Sequence, residues 1–360
     1  MSSLTDFSKK ELLLEKQRFN DQITTLLTDL LTEKEVQDVP WALAWLKKVF
    51  LFNVPHGKQI RFRSSCPLAV RGLERCPTEK QIQQAYILGW CVEILQACCL
   101  VADDIMDKSD TRRGRPCWYK VDGLESLAFN DSLLLEHIVY RIINKYFKNT
   151  SFYSTITEIF LGTTYKTVLG QCVDTQTGKN QNYDGYTMEK YKAIVKYKTC
   201  YYTFHLPIAL AATIAELKDT VTLKHLEQFA LKLGYLFQVQ DDFLDCFASE
   251  NLTGKIGTDI QNGKCTWLFI CAKDNCSQEE LELLLDNYGY EDKHKVDIVK
   301  KLYDNLLVQE KCIGHMQDMA EDILHKVENF NCKQVNIFMQ HLVETVISVP
   351  KFRGATSVSL

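Results

Sequence analysis

The sequence predicts an all-α protein, and two features of the 360-residue chain support this prediction. Glycine (16) and proline (7) are too scarce for a turn-rich β-sandwich or a low-complexity linker. Apolar residues recur at steps of three and four over most of the chain, as at Ile87, Cys91, Ile94 and Leu95. The sequence shows no internal repeat and no Pro/Gly/Ser-rich linker. We therefore expect a single helical domain over residues 1–360.

The same periodicity predicts where each helix lies. Helices are expected at 7–31, 38–53, 80–108, 123–147, 151–175, 186–214, 222–248, 277–287, 292–328 and 332–348. The helical periodicity is lost at 52–67 and 249–264, which both combine Gly with Lys or Arg, and at the short charged segment 108–115. We expect these segments to be loops. We expect residues 1–33 to form a peripheral N-terminal helix and residues 351–360 to form a divergent tail.

Composition excludes several classes of protein. The 42 basic and 46 acidic residues give a net charge of −4, so bulk attraction to nucleic acid or acidic membrane is not expected. We see no apolar run that approaches the roughly 18–20 residues of a membrane span. The N-terminus has neither the apolar core of a signal peptide nor the Arg-rich character of a transit peptide. These features predict a soluble, cytoplasmic protein.

The fourteen cysteines do not indicate a zinc site. None belongs to a Cys-x-x-Cys pair, and no His-x₃-His motif accompanies them. Free thiols that act as small buried hydrophobes are the expectation for a cytoplasmic protein.

The strongest chemical signal is an Asp-Asp-x-x-Asp motif that occurs twice, at 103–107 and 241–245. Each copy follows a long apolar stretch and falls at the C-terminal end of a predicted helix. Residues four apart share a helix face, so the first and last aspartates of each motif stack as like charges. The helix dipole also disfavours carboxylates at this end. Because carboxylate oxygens are the ligands that Mg²⁺ prefers, we predict a metal site built from Asp103, Asp107, Asp241 and Asp245.

Basic residues that fall in loops and at helix breaks complete this site. They are Lys58, Arg61, Arg112, Arg113, Lys198, Lys255 and Lys264. Two carboxylate clusters with several Lys and Arg side chains suit a diphosphate bridged by Mg²⁺. The ion neutralises a leaving group, so the expected chemistry is the departure of diphosphate.

Five segments together resemble a known family. They are GWCVEILQ…LVADDIMD (89–107), TRRG…CWY (111–119), KYKT (196–199), FQVQDDFLD (237–245) and GKIGTDIQNGKCTWL (254–268). In this order they are similar to the trans-prenyl diphosphate synthases, most closely the eukaryotic farnesyl diphosphate synthases, over about 34–345. The resemblance implies an antiparallel helical bundle around a deep central cavity, the isoprenoid synthase type, which is usually a homodimer.

The resemblance also implies roles for individual residues. Three Mg²⁺ ions would lie between the acidic motifs, two held by Asp103 and Asp107 and the third by Asp241. By position, the allylic diphosphate would be held by Arg112, Lys198 and Lys255, and the isopentenyl diphosphate by Lys58, Arg61, Gln96 and Arg113. Lys264 is expected among the substrate-binding cations. Thr199, Gln238 and the carbonyl of Lys198 resemble the groups that stabilise the allylic cation.

Three features depart from the family pattern. His56 replaces the first glycine of a Gly-Gly-Lys-x-x-Arg stretch, and the tail 351–360 is longer and less basic. Cys98 and Cys99 stand where the farnesyl synthases carry two bulky aromatic residues. At 1.5 Å rise per residue, Cys99 lies about 6 Å along the helix from Asp103, with Leu95 one turn deeper.

These three residues, Leu95, Cys98 and Cys99, are expected to line the pocket that sets product length. Other aromatics (Tyr201, Tyr202 or Phe204) would refill the space and leave a farnesyl product. Without such refilling, a deeper pocket would give a geranylgeranyl product or admit a bulkier substrate.

Two functions remain open from sequence. The first is a short-chain prenyl diphosphate synthase that condenses isopentenyl diphosphate with an allylic diphosphate. The second is a terpene synthase that ionises a prenyl diphosphate and then cyclises or deprotonates the cation. A terpene synthase needs no isopentenyl site, so the retained Lys58, Arg61, Gln96 and Arg113 favour condensation. Two intact acidic motifs argue against a catalytically inactive scaffold.

Overall fold

A computed structural model describes residues 9–55, 66–74, 76–121, 123–180, 182–249, 256–328 and 333–347. This part of the chain is almost entirely helical, which confirms the predicted fold class. Its first elements are α1 (Lys9–Leu31), α2 (Lys34–Gln37), α3 (Pro40–Asn53), α4 (Cys66–Leu73) and α5 (Glu79–Met106). A short hairpin of β1 (Thr111–Arg112) and β2 (Arg115–Pro116) and a 3₁₀ turn (Trp118–Lys120) follow α5.

The remaining elements complete the bundle. They are α6 (Leu127–Phe147), α7 (Tyr153–Asn180), a 3₁₀ turn (Tyr183–Gly185), α8 (Met188–Val195), a π-helix (Lys196–His205), α9 (Leu206–Ile214), α10 (Thr220–Phe247), α11 (Trp267–Asn275), α12 (Gln278–Asn287), α13 (Lys293–Asn305), α14 (Val308–Glu328) and α15 (Lys333–Ile347). One continuous apolar core runs through these helices.

Helix α5 is the central element of the bundle. A capping box starts it: the Thr78 hydroxyl accepts from the Gln81 backbone, and the Gln81 side chain accepts from the Thr78 backbone. Helix α5 is long and apolar enough, by length and composition alone, to cross a bilayer, although Glu93 and Gln96 interrupt its apolar residues. However, 78% of its most apolar 18-residue stretch is buried inside the protein. Its all-round apolar surface is therefore that of a core helix.

Helix α1 packs against the bundle through specific side chains. The Phe19 ring stacks on Trp90 of α5 with centroids 4.4 Å apart. The Trp90 indole donates to the Phe19 carbonyl oxygen at 2.7 Å, and the Tyr86 hydroxyl donates to Glu15 at 2.6 Å. These contacts attach the first described helix to the middle of α5.

The π-helix lies between α7 and α10, and it fits there because glycine faces it from both sides. A Cβ atom at Gly170 of α7 would lie 2.2 Å from the Lys198 backbone nitrogen. A Cβ atom at Gly234 of α10 would lie 2.7 Å from the Cys200 sulfur. Both distances are shorter than non-bonded atoms allow, so the wide helix can occupy this position only between small residues. Such π segments are frequent at functional sites.

Several element boundaries differ from the sequence predictions. The predicted helix 186–214 changes from α to π geometry at Lys196, and the predicted helix 292–328 is interrupted at Leu307, which has φ 53°. The structure adds α4 and α11, which periodicity did not predict. Helix α11 is short, and its residues 267–272 are all buried, so it has no polar face to produce a helical pattern.

Candidate active site

Both acidic motifs lie at the C-terminal ends of long helices. Asp103 belongs to the last turn of α5, and Asp107 is its C-cap, with its N–H donating to the Asp103 carbonyl oxygen at 2.8 Å. Asp241 and Asp245 lie in the last two turns of α10. The backbone turns away immediately after the first motif, because Lys108 adopts φ 53°. Each helix therefore presents its carboxylates at an end where the dipole does not stabilise them.

Two lysines and one further aspartate, Asp174, lie against the first motif and form what we call the Asp174 network. Lys198 Nζ lies 3.1 Å from Asp103 Oδ1 and 2.7 Å from Asp174 Oδ2. Lys264 Nζ lies 2.7 Å from the same Asp174 oxygen and 2.7 Å from Asp107 Oδ1. The five groups alternate in charge from Asp103 to Asp107. The structure thus brings together four residues that the sequence predicted and adds Asp174.

Sequence reasoning missed Asp174, although a signal was present. Along α7, the buried residues include Thr163, Thr167, Gly170, Asp174 and Thr177, at steps of three and four. This face is small and polar instead of apolar. A buried carboxylate on a small polar face indicates that cations or a ligand lie opposite.

Charges in the network shift the pKa values of Asp103 and Asp107 in opposite directions. Burial raises the pKa of Asp103, but the combined charges of Lys198, Lys264 and Arg112 outweigh it, so the pKa lies below its ordinary value. Burial and the neighbouring Asp103 charge raise the pKa of Asp107 above its ordinary value. Burial opposes ionisation of Asp174 as well, yet Lys198 and Lys264 hold its pKa low. Asp103 and Asp174 are therefore the two carboxylates that the network holds most firmly in the ionised form.

The β1–β2 hairpin orients three arginines in two directions. Arg112 donates through Nε to Asp104 Oδ1 at 2.9 Å and lies 3.7 Å from Asp103 Oδ2, so it adds a third positive charge beside the first motif. Arg113, with φ 55°, donates to the Asn53 carbonyl oxygen at 2.8 Å. Arg115 donates to the Phe52 carbonyl oxygen at 3.1 Å. The second and third arginines therefore bind the C-terminal end of α3, where cations are stabilised by the helix dipole.

A chain of hydrogen bonds links the π-helix to the second acidic motif. The Thr199 hydroxyl donates to Gln238 Oε1 at 2.7 Å, and Gln238 Nε2 donates to Asp242 Oδ1 at 2.9 Å. The Trp267 backbone N–H donates to Asp242 Oδ2 at 3.0 Å. Burial raises the pKa of Asp242 to about 7. The structure therefore places the predicted Thr199 and Gln238 in direct contact.

The segment 256–264 joins the two motifs. Its Asp259 N–H donates to Asp245 Oδ1 at 2.9 Å, and its Asn262 amide donates to the Asp107 carbonyl oxygen at 3.3 Å. A Cβ atom at Gly257 would lie 1.9 Å from the Asp245 carbonyl oxygen, so only glycine allows this close passage. Lys264 then completes the link through the Asp174 network. Asp245, predicted as a metal ligand, thus also holds this segment against α10.

The predicted chain-length residues lie on α5, and Cys98 lies near Glu136 of α6. Leu95 is buried, and Cys98 and Cys99 are half-buried. The contact with Cys99, followed by burial, raises the pKa of the Cys98 thiol. Of the aromatics considered as replacements, Phe204 packs edge-on against Phe237 of α10, with centroids 5.6 Å apart.

Of the other predicted substrate ligands, the structure describes only Gln96. Gln96 is 8% exposed, and its Oε1 has no hydrogen-bond partner among the described residues. Lys58, Arg61 and Lys255 lie outside the described residues, and so do His56 and the tail 351–360.

The donor set of the two acidic motifs fits a divalent cation such as Mg²⁺. All predicted ligands are carboxylates, the hard oxygen donors of Mg²⁺ sites. The ammonium groups of Lys198 and Lys264 already lie against the Asp103 and Asp107 oxygens, which shows that positive charge is accommodated there. No three His, Cys, Asp or Glu side chains within the described ranges converge closely enough to hold an ion by themselves. Additional oxygen ligands are therefore needed, and water or substrate phosphate commonly supplies them.

A helical bundle with paired acidic motifs and facing lysines defines a class of enzyme that handles diphosphates. The family model described as "Polyprenyl synthetase" matches residues 43–306, and the chain belongs to this family. It is therefore a prenyltransferase, and the family implies the use of a divalent metal.

Individual relatives with similar sequences or structures are farnesyl diphosphate synthases. The chain is 39% identical to the farnesyl diphosphate synthase of Dictyostelium discoideum over 329 residues, which cover 88% of this chain and 86% of the relative. It is 43% identical to the Gallus gallus farnesyl pyrophosphate synthase over 291 residues, covering 79% and 78%. The structure is similar to T. brucei farnesyl diphosphate synthase complexed with a bisphosphonate, with a TM-score of 0.86 and 29% identity. That match covers 95% of this chain and 100% of the other.

Proposed function

We propose that this enzyme condenses isopentenyl diphosphate with an allylic diphosphate and releases farnesyl diphosphate. The observation that carries the proposal is the Asp174 network, in which Lys198 and Lys264 are held beside the first acidic motif. Two ammonium groups fixed beside stacked carboxylates suit the recognition of a diphosphate together with its cations. The names of the relatives support the farnesyl product.

The first acidic motif, with Asp241, would hold Mg²⁺, and we propose three ions. When bound, Mg²⁺ neutralises the charge that develops on the departing diphosphate. Lys198 and Arg112 bind the same diphosphate from the protein side, together with Lys255. Because Asp174 remains between the lysines, their ammonium groups stay close to the reacting end of the substrate instead of extending into solvent.

The allylic cation would form beside Thr199 and Gln238. Their oxygen atoms are 2.7 Å apart and provide partial negative charge next to the π-helix. The apolar interior of the bundle excludes water, which would otherwise quench the cation. The isopentenyl double bond then attacks the cation, and the departed diphosphate takes the proton.

Isopentenyl diphosphate would bind through Gln96, Arg113, Lys58 and Arg61. Gln96 is only 8% exposed, and its amide NH₂ group is a hydrogen-bond donor of the kind that diphosphate oxygens accept from. Loss of this subsite would be expected in a terpene synthase, and the comparisons give no support to that alternative.

We also propose that a second copy of the chain covers an exposed apolar stripe on α6 and α7. The stripe consists of Phe129, Leu133, Leu161, Tyr165, Val168, Leu169 and Val173. Phe129 and Tyr165 are 62% and 67% exposed, which is unusual for large side chains that repeat at helical spacing. Self-association would bury this surface.

The cysteine side chains support a reducing compartment. Cys200, Cys265 and Cys312 are buried free thiols, as expected for a cytoplasmic enzyme.

The activity is tested by incubating the purified protein and Mg²⁺ with dimethylallyl, geranyl, farnesyl or geranylgeranyl diphosphate, each with and without isopentenyl diphosphate. We expect chain elongation that stops at farnesyl diphosphate and requires isopentenyl diphosphate. Hydrocarbons or terpene alcohols formed without isopentenyl diphosphate, with no elongation in its presence, would overturn the proposal.

A further inference from the structure

Asp242, the middle residue of the second acidic motif, is held in place by hydrogen-bond donors. It is 3% exposed, accepts from Gln238 Nε2 at Oδ1, and accepts from the Trp267 backbone N–H at Oδ2. Trp267 is the first residue of α11, so this N–H is one of the donors that a helix leaves unsatisfied at its start. The carboxylate of Asp242 is therefore fixed between two helices, with one oxygen directed at Gln238.

The amide of Gln238 has two ends of opposite polarity, and its surroundings select one orientation. Nε2 can only donate and Oε1 can only accept. In the structure, Nε2 donates to Asp242 Oδ1 and Oε1 accepts from the Thr199 hydroxyl, so these two contacts hold the amide in one orientation. In the reverse orientation, the amide oxygen would lie against a carboxylate oxygen in the protein interior, where repulsion is strong.

We propose that Asp242 is a positioning residue that sets the direction of the Gln238 amide and thereby presents Oε1, beside the Thr199 hydroxyl oxygen, to the allylic cation. The inference rests on the proposed function, because it assigns the cation to this place. Oε1 carries partial negative charge and stabilises a cation, whereas the NH₂ end carries partial positive charge and repels it. Hydrogen bonding to Oε1 also directs the Thr199 proton away and leaves the oxygen lone pairs available.

The variant Asp242→Asn tests this role because it replaces an acceptor with a donor of the same shape. With the Asn oxygen kept on the Trp267 N–H, its Nδ2 faces Gln238 and the Gln238 amide turns over. We expect kcat to fall about tenfold to a hundredfold with both KM values within about twofold of wild type. The double variant Asp242→Asn with Gln238→Glu restores an oxygen next to Thr199 and conserves the charge of the pair. It should recover most of the lost kcat, while Gln238→Glu alone should remain impaired.

A binding measurement separates this inference from the overall reaction. Titration calorimetry with Mg²⁺ present compares two probes: a prenyl diphosphate analogue with an ammonium nitrogen at the cationic carbon, and the uncharged thiolodiphosphate. Asp242→Asn should weaken the ammonium analogue about tenfold and leave the thiolodiphosphate unchanged. Asp131→Asn is the matched control, since Asp131 is a fully buried carboxylate that accepts from the indoles of Trp45 and Trp118. This control should leave the ratio of the two affinities unchanged.

Two results would overturn the inference. One is an Asp242→Asn enzyme that keeps the wild-type preference for the ammonium analogue. The other is a double variant whose kcat is no better than that of Asp242→Asn. If instead the wild-type protein elongates no substrate and does not discriminate between the analogues, the proposed function itself has failed.

Discussion

Lys198 and Lys264 come from different parts of the chain, yet their ammonium groups meet at a single carboxylate oxygen, Oδ2 of Asp174, each at 2.7 Å. Two cations on one anion repel each other, so further negative charge is needed to offset the repulsion. Asp103 and Asp107 provide that charge on the outer side of each lysine. The site therefore holds the two charges that we propose bind diphosphate in fixed positions before substrate arrives, which would reduce the reorganisation required during the reaction.

Asp174→Asn should destabilise the protein and impair activity. Lys264 is only 7% exposed, so the loss of one of its two carboxylates leaves a poorly compensated charge in the interior. We expect the free energy of unfolding to fall by about 3–5 kcal/mol and kcat/KM for the allylic substrate to fall about tenfold or more. The control Asp322→Asn removes an exposed ion pair with Lys326 and should cost less than about 1 kcal/mol. Equal destabilisation in both variants, measured by urea unfolding, would contradict the role of the network.

Gly170→Ala should disrupt the π-helix. The new methyl group would lie 2.2 Å from the Lys198 backbone nitrogen, so the backbone must move away and take Lys198 and Thr199 with it. We expect a loss of about 1–3 kcal/mol in the free energy of unfolding together with a large loss of turnover. Gly162→Ala on the same helix meets no atom within 4 Å and should stabilise the protein by about 0.5–1 kcal/mol. Similar melting temperatures for the two variants would count against the close approach.

Replacing Cys98 and Cys99 together by Phe should shorten the product. A farnesyl product requires that other aromatics already close the pocket at this point, so two further rings would narrow it and elongation should stop earlier. Products from dimethylallyl and isopentenyl diphosphate, separated by chromatography after dephosphorylation, should shift from farnesyl towards geranyl. Cys76→Phe, at an exposed position, serves as the control. An unchanged product distribution in the double variant would remove these cysteines from the chain-length pocket.

The protein should lose stability on acidification, in part through His205. Burial lowers the pKa of His205, with Glu227 raising it and Lys166 lowering it by smaller amounts. The folded state therefore favours the neutral ring, so its contribution is intact above about pH 6.5, the ordinary pKa of histidine, and declines as pH falls below it, where the unfolded chain binds the proton more readily. His205→Gln should show a smaller drop in Tm between pH 7.5 and 5.5 than wild type. The exposed His294→Gln should follow the wild-type curve, and a parallel curve for His205→Gln would refute the prediction.

Tyr165→Glu should weaken self-association. The carboxylate would be desolvated if a second copy covered the stripe on α6 and α7, whereas it remains hydrated in a monomer. Light scattering coupled to size exclusion should report a dimer for wild type and a shift towards monomer for the variant. Val221→Glu, at an apolar position on α10 that is 59% exposed, should stay dimeric. A monomeric wild-type protein would refute the proposed interface.

Part of the site was predictable because its chemistry is local. Asp103 and Asp107 are one helical turn apart, and so are Asp241 and Asp245, so their stacking follows from helix geometry alone. Asp174 lies in no motif of this kind, and its role depends on two lysines from the π-helix and from segment 256–264. The mid-helix change from α to π geometry at Lys196 could not be predicted from sequence either. It depends on the close approach of Gly170 and Gly234, which lie on neighbouring helices.

The sequence by itself determined the fold class and the two acidic motifs, and its resemblance to a family suggested the residues beside the proposed cation. Apolar periodicity and paired carboxylates are properties of short segments, and they persist in any arrangement of the helices. Only the tertiary structure decided that Lys198 and Lys264 share Asp174, and that Asp242 selects the direction of the Gln238 amide. Those relationships join residues far apart in the chain, and hydrogen-bond direction and charge pairing exist only once packing has brought them within about 3 Å of each other.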